Sequence, residues 1–252
     1  MKRAVILFAF ILLTLPSLQA QFAQKDTIVR IYSLAISGGI DLPGGDLKDR
    51  FGINNTLGGS FIYKSMSNWV LMAEGDYLFG RDVKITDELF QHIATEDGYI
   101  IDEGGIYTDL AVLEAGLTAN VSVGKLFPIF GPNPNSGLVI SVGAGYIFHK
   151  IRIEQTENSA PQLTGDYGKG YDRLNEGFNT SQFIGYHYYG NNNIANFYAG
   201  VELHQAWTDP SRPWNFDQIK APEPNRFGTL FGLKAGWIIP LGKQTDRKVF
   251  VY

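Results

Sequence analysis

Residues Gly137–Lys150 read GLVISVGAGYIFHK, and their period is two. Leu138, Ile140, Val142, Ala144, Tyr146 and Phe148 fall on one face, and Ser141, Gly143, Gly145 and His149 fall on the other. An apolar face ending in aromatic rings and backed by small and polar residues is the pattern of a strand whose outer side meets lipid, with its rings at the membrane interface. A soluble sandwich strand would set its aromatics in the core rather than at the end of the stripe.

The pattern recurs along the chain. It predicts strands at Val29–Asp41, Thr56–Ser65, Trp69–Gly80, Tyr107–Val123, Gly137–Lys150, Thr180–Tyr189, Ala195–Trp207 and Phe227–Ile239. In the last of these, Phe227, Thr229, Phe231, Leu233, Ala235, Trp237 and Ile239 oppose Gly228, Gly232, Lys234 and Gly236. The breaks after the second, fourth and sixth strands are short, at Met66-Ser67-Asn68, Pro128–Ser136 and Gly190-Asn191-Asn192-Asn193. Those after the first, third, fifth and seventh are long, and Thr86, Asp87 and Glu88 open a short helix in the second long one, with Leu89, Phe90 and Ile93 on its apolar face. Alternation of short turns with long loops is what an eight-stranded antiparallel up-and-down transmembrane barrel requires, with its long loops outside the cell. An even strand number returns both barrel ends to the periplasmic side.

The first residues fix the compartment. Lys2 and Arg3 precede an apolar run from Ala4 to Leu15, broken only by Thr14, and Pro16–Ala20 leads to a cleavage point after Ala20. This predicts a signal peptide at 1–20, a periplasmic segment at 21–28, the barrel at 29–240 and a periplasmic tail at 241–252 that carries Val249-Phe250-Val251-Tyr252. Cysteine is absent, so disulfides and a lipoprotein anchor are excluded, and stability falls to the core or the bilayer. A net charge of −4 argues against a nucleic-acid partner. With 29 Gly, 13 Tyr and 17 Phe and few helix-forming stretches, the composition favours strands and turns.

The inward faces carry Lys64, Glu74, Asp76, Glu114, Glu202 and Lys234, together with His149, His187 and His204. Eight strands enclose only enough room for side chains, so these charges are expected to pair across the lumen as a structural plug. His149 and His204 sit toward the outer strand ends, where a lipid-modifying enzyme would act, but no Gly-x-Ser-x-Gly is present and no serine adjoins them in sequence. No catalytic residue is assigned. No metal site and no cofactor is expected, because no His/Cys/Asp/Glu set has ligand spacing and the glycines of Gly165–Gly170 do not match a phosphate loop. Two outer loops are rich in contact-forming residues: Tyr167, Lys169, Tyr171, Asp172 and Arg173 in one, and Trp207, Arg212, Trp214 and Phe216 in the other, stiffened by Pro210, Pro213, Pro222 and Pro224. Tyr, Trp and Arg are favoured at interfaces, which predicts partner-binding loops.

The eight-strand pattern with alternating connections and inward charge resembles the OmpA/OmpX-like small barrels. NPNSGLVISVGAGYIFHKIRI (residues 133–153) and PQLTGDYGKGYDRL (residues 161–174) look like outer-membrane barrels of Bacteroidota. This resemblance covers nearly the whole chain after the signal segment and implies no catalytic motif. It implies an outer-membrane protein in contact with lipid and with another outer-membrane protein or lipoprotein, a structural or interaction subunit of the kind that assists secretion and assembly machinery, the type IX system included. The alternatives are a surface-binding barrel, adhesin or receptor, that uses its aromatic loops, and a lipid-modifying barrel enzyme.

Overall fold

The computed structural model describes residues 27–108, 110–155, 160–190 and 195–241. The signal peptide and nearly all of the C-terminal tail expected from the sequence lie outside the described residues. Eight long strands close into one antiparallel ring: β1 (Ile31–Gly45), β2 (Asn54–Lys64), β3 (Trp69–Gly80), β6 (Leu110–Phe127), β7 (Gly137–Gln155), β8 (Asn175–Tyr189), β9 (Asn196–Pro210) and β10 (Arg226–Leu241). Two short strands, β4 (Ile100–Ile101) and β5 (Tyr107–Thr108), pair with each other in the second loop. β1 pairs with both β2 and β10, so the sheet has no open edge, and every ladder group in the barrel wall has a neighbour to bond. Helical turns α1 (Leu47–Arg50), α2 (Thr86–Phe90) and α3 (Gly165–Gly168) lie in the connections.

Several strands run past the bounds that alternation predicts. β1 continues through Pro43-Gly44-Gly45, a stretch that reads as loop, because these residues pair with Leu230, Thr229 and Gly228 of β10. The ladder to β2 has already ended at Asp41↔Asn54, so the missing N–H of Pro43 costs no bond on that side. β8 begins at Asn175 instead of Thr180, held between His149 of β7 and Pro210 of β9. β6 begins at Leu110, and Tyr107–Thr108 turns aside into the small β4–β5 hairpin. The connections β2–β3, β6–β7 and β8–β9 leave from one end of the barrel and β1–β2, β3–β6, β7–β8 and β9–β10 from the other, though the residues between β1 and β2 are no more numerous than those between β6 and β7. In the expected short helix Thr86 is the first helical residue, Ile85 takes the cap position, and the Thr86 hydroxyl donates to the Val83 carbonyl at 2.8 Å, while Leu89 and Phe90 are buried.

The outer wall is apolar along its whole height. Leu34, Ile36, Ile40, Leu57, Leu71, Val121, Val142, Ile184, Phe231 and Leu233 are all exposed, and they are the residues that alternation aims outward. Two aromatic girdles bound this belt. At the turn end Tyr32 meets Tyr63 at 5.0 Å, Tyr188 stacks on Phe197 at 4.9 Å, and the Lys125 ammonium lies 5.1 Å from the Trp69 ring. At the loop end Tyr77 stacks on Phe79, Phe178 on Trp207, and Trp207 lies against Phe227. Water would penalise an apolar wall of this extent, whereas a bilayer covers it and sets the two girdles at its interfaces.

The lumen is layered. At the turn end Ile31, Ile62, Met72, Leu126, Phe183 and Ile238 form one apolar cluster. At the loop end a second cluster joins inward strand residues such as Leu78, Ile147 and Leu230 to loop residues Leu47, Phe51, Leu89, Leu163 and Tyr171. Lys234, Glu74, Asp76 and Glu202 lie between these two layers.

Candidate functional site

The midplane charges are set by strand period and joined by barrel closure. Lys234 points inward from β10, and its Nζ lies 2.8 Å from Glu74 Oε2, 3.0 Å from Asp76 Oδ2 and 3.1 Å from Glu202 Oε2. Glu74 and Asp76 come from β3, which is separated from β10 in the wall by β1 and β2, so the contact crosses the lumen. His204 extends the cluster: its Nε2 lies 3.3 Å from Glu202 Oε2, and its Nδ1 lies 3.2 Å from the Asn179 amide. Ser37 donates to Asp76 Oδ1 at 3.3 Å.

Of the nine inward groups predicted from sequence, Glu74, Asp76, Glu202, Lys234 and His204 meet, and the other four stand apart. Lys64 is wholly buried at the turn end, where it donates to Asn135 Oδ1 at 3.0 Å and to the Val29 carbonyl at 3.2 Å instead of meeting an acid. Glu114 accepts two bonds from the Asn54 amide at 3.2 and 3.1 Å. His187 packs among Phe183, Tyr189 and Tyr198, and His149 stands edge-on to Phe51 at 5.9 Å. Asp41 is an inward acid that the strand reading passed over, although Ser33, Ser37 and Asp41 share one parity, and it lies within electrostatic reach of His204, Glu202, Lys234 and Asp76.

Glycines of β2 and β10 make the room for this charge. A Cβ on Gly58 would fall 2.0 Å from Asp76 Oδ1, and one on Gly232 would fall 2.1 Å from Asp41 Oδ1. Gly143 and Gly145 of β7 instead clear space for the neutral side chains of Ser181, Ser122 and Asn120.

Above the midplane the loops lock together into a platform. Arg173 and Asp217 form a buried ion pair that joins the third loop to the fourth. Arg212 reaches Asp172 with Nε at 3.0 Å and Nη2 at 2.5 Å, a two-pronged contact that holds the Arg212 guanidinium above its ordinary value. The Gln91 amide donates to the Asp217 carbonyl at 3.1 Å and brings in the second loop; Arg50 Nη1 donates to the Arg173 carbonyl at 3.4 Å and brings in the first. Burial, followed by the nearby Arg226 and Arg173 charges, pushes Arg50 down to about 9.

This locking redistributes the residues expected on a contact surface. Tyr171, Asp172 and Arg173 are buried and hold the platform together from within, Tyr171 edge-on to Phe216 at 5.8 Å. Trp207 belongs to β9, not to a loop, and joins the outer girdle, because β9 runs on to Pro210. Tyr167, Lys169, Trp214 and part of Phe216 remain on the surface, with Lys169 paired to Asp166 at 2.6 Å. Arg50 and Asp217, both essential to the platform, carry no periodic signal in loop sequence and could not be read from it.

No protein-family description and no curated protein matches the chain. Solved structures similar to it include Ail, the attachment invasion locus protein of Yersinia pestis, in complex with the heparin analogue sucrose octasulfate (11% identity, 84% of this chain and 99% of that one, TM-score 0.39). The N-terminal β-barrel domain of Pseudomonas aeruginosa OprF (13% identity, 82% and 97%, TM-score 0.37) and a major outer membrane protein of Thermus thermophilus (9% identity, 82% and 99%, TM-score 0.40) are also similar. The narrower resemblance to Bacteroidota barrels gains no support from these matches. Likeness of this degree bears on neither activity nor ligand, and the barrel assignment rests on strand register.

Proposed function

We propose that this protein is a non-enzymatic outer-membrane barrel that acts through its outer platform as a structural or interaction subunit. The observation that carries the reading is the platform itself. A buried ion pair and hydrogen bonds tie all four loops into one body, and that body presents Tyr167 and Trp214 outward. Aromatics on a pre-ordered scaffold bind with little loss of side-chain freedom, which suits recognition of a partner. The interior supports the same reading, because apolar clusters toward both ends and a paired charge cluster between them cross the lumen, leaving transport a poor use of it. His204 is engaged by Glu202 and Asn179, and His149 by an aromatic ring, which is a packing role for each.

The partner class that fits is another outer-membrane protein or a lipoprotein, accessory roles in secretion or assembly machinery among them. The test is extraction in mild detergent followed by affinity purification of the wild type and of a Tyr167→Ala/Trp214→Ala double variant. A protein that co-elutes with the wild type and is lost with the variant supports the proposal. Recovery of both as the barrel alone overturns it, and binding of a soluble glycan to the wild type in that case would move the reading to a surface receptor.

A further inference from the structure

Beneath the first loop, at the outer mouth of the barrel, lies a small, partly enclosed space of about 10 Å³ faced by Asp46, Arg50, His149, Thr208 and Arg226. That is the room of one water-sized occupant. Its walls are short of acceptors. Arg50 is 5% exposed and makes one hydrogen bond, to the Arg173 carbonyl, although a guanidinium has five N–H groups to place. Arg226 Nε is buried with no partner, and so is Nδ1 of His149, itself 4% exposed. Among the described residues neither Arg50 nor Arg226 forms an ion pair. Asp46 is the one carboxylate on the lining, and its Oδ2 is taken by the Phe227 N–H at 2.9 Å.

We propose that this space is a binding site for a single monoatomic anion, chloride in ordinary saline, held between the guanidinium groups of Arg50 and Arg226. The lining carries two arginine charges against one aspartate, a balance of +1 that one halide brings to zero. Arginine does not shed its proton near neutral pH, so the burial and crowding that push Arg50 down become a demand for counter-charge. A water molecule would fill the volume and accept N–H bonds but would leave that charge in place. Among common anions a halide comes nearest in size to that occupant, and phosphate, sulfate and carboxylates are larger. His149, as the tautomer protonated at Nδ1, supplies a third donor. The bound ion ties α1 to β7 and β10, so the anchoring of the first loop depends on halide.

The test uses the full chain in detergent, with bromide as probe. Crystals grown in sodium bromide are expected to show an anomalous difference peak between Arg50 and Arg226 that is missing from the Arg226→Gln variant. No peak in the wild type, or a peak retained in the variant, overturns the proposal. Should the variant fail to fold, the wild type still decides. Its unfolding midpoint, followed by heat-modifiable migration at constant ionic strength, is expected to rise saturably when gluconate is exchanged for chloride. Equal midpoints in the two salts overturn the proposal.

Discussion

The midplane of the lumen and the platform at its outer mouth both bury ion pairs, yet they build them from different materials. At the midplane Lys234, Glu74, Asp76 and Glu202 stand on rigid strands, and each is aimed inward by the two-residue period. On the platform Arg173, Asp217, Arg212 and Asp172 stand on connections whose course is fixed by the contacts they make. The same chemistry thus does two jobs. In the wall it satisfies charges that the barrel has already brought together, and in the loops it creates the geometry.

The largest test of this difference is Lys234→Met. Removing the cation leaves three buried carboxylates around an apolar group, and we expect about 3–5 kcal/mol lost from the whole barrel, read as a lower urea midpoint for heat-modifiable migration. Adding Glu74→Gln and Glu202→Gln should recover part of the loss; no recovery would mean that packing, not charge, sets the cost. Asp217→Asn comes next. Because the platform is held by its own contacts, we expect protease cleavage within the outer loops while the barrel keeps its folded migration, and joint loss of both would show that the two regions are one cooperative unit. A glycine pair sharpens the midplane side. Gly58→Ala places a methyl against Asp76 and should cost about 1–3 kcal/mol, whereas neighbouring Gly59→Ala, whose Cβ meets only the Ala35 carbonyl at 3.4 Å, should unfold like the wild type. Smallest of all, Lys169→Ala should leave both the urea midpoint and loop proteolysis unchanged, since its pair with Asp166 is solvent-exposed.

Legibility in the sequence follows the same division. All eight barrel strands could be placed from alternation, because the outward residues that meet lipid are apolar while many inward ones are charged, polar or glycine. Strand ends were harder. Pro43-Gly44-Gly45 has the composition of a turn and is strand only because β10 offers it a partner. Tyr107–Thr108 looks continuous with β6 and leaves it for β4. Of the predicted loop contacts, Tyr167 and Trp214 lie on the surface, whereas Tyr171, Asp172 and Arg173 turn inward, because fifteen residues of β9 and the fold of the fourth loop bring Arg212, Asp217 and Phe216 over them.

What the sequence by itself determined is which side of the wall each strand residue faces: Gly137–Lys150 already separates Ile140 and Val142 from Ser141 and His149, since side-chain direction along a strand is a local property of the backbone. Only the tertiary structure decided which inward groups meet. Lys234 finds Glu74 across the lumen while Lys64, of the same charge and parity, settles on Asn135, because partnership depends on height and on closure of the ring, which no single strand encodes. His149 shows both halves of this. Its inward aim is written in the opening stretch, and its place beside Arg50 and Arg226 exists only once the first loop has folded over the barrel mouth.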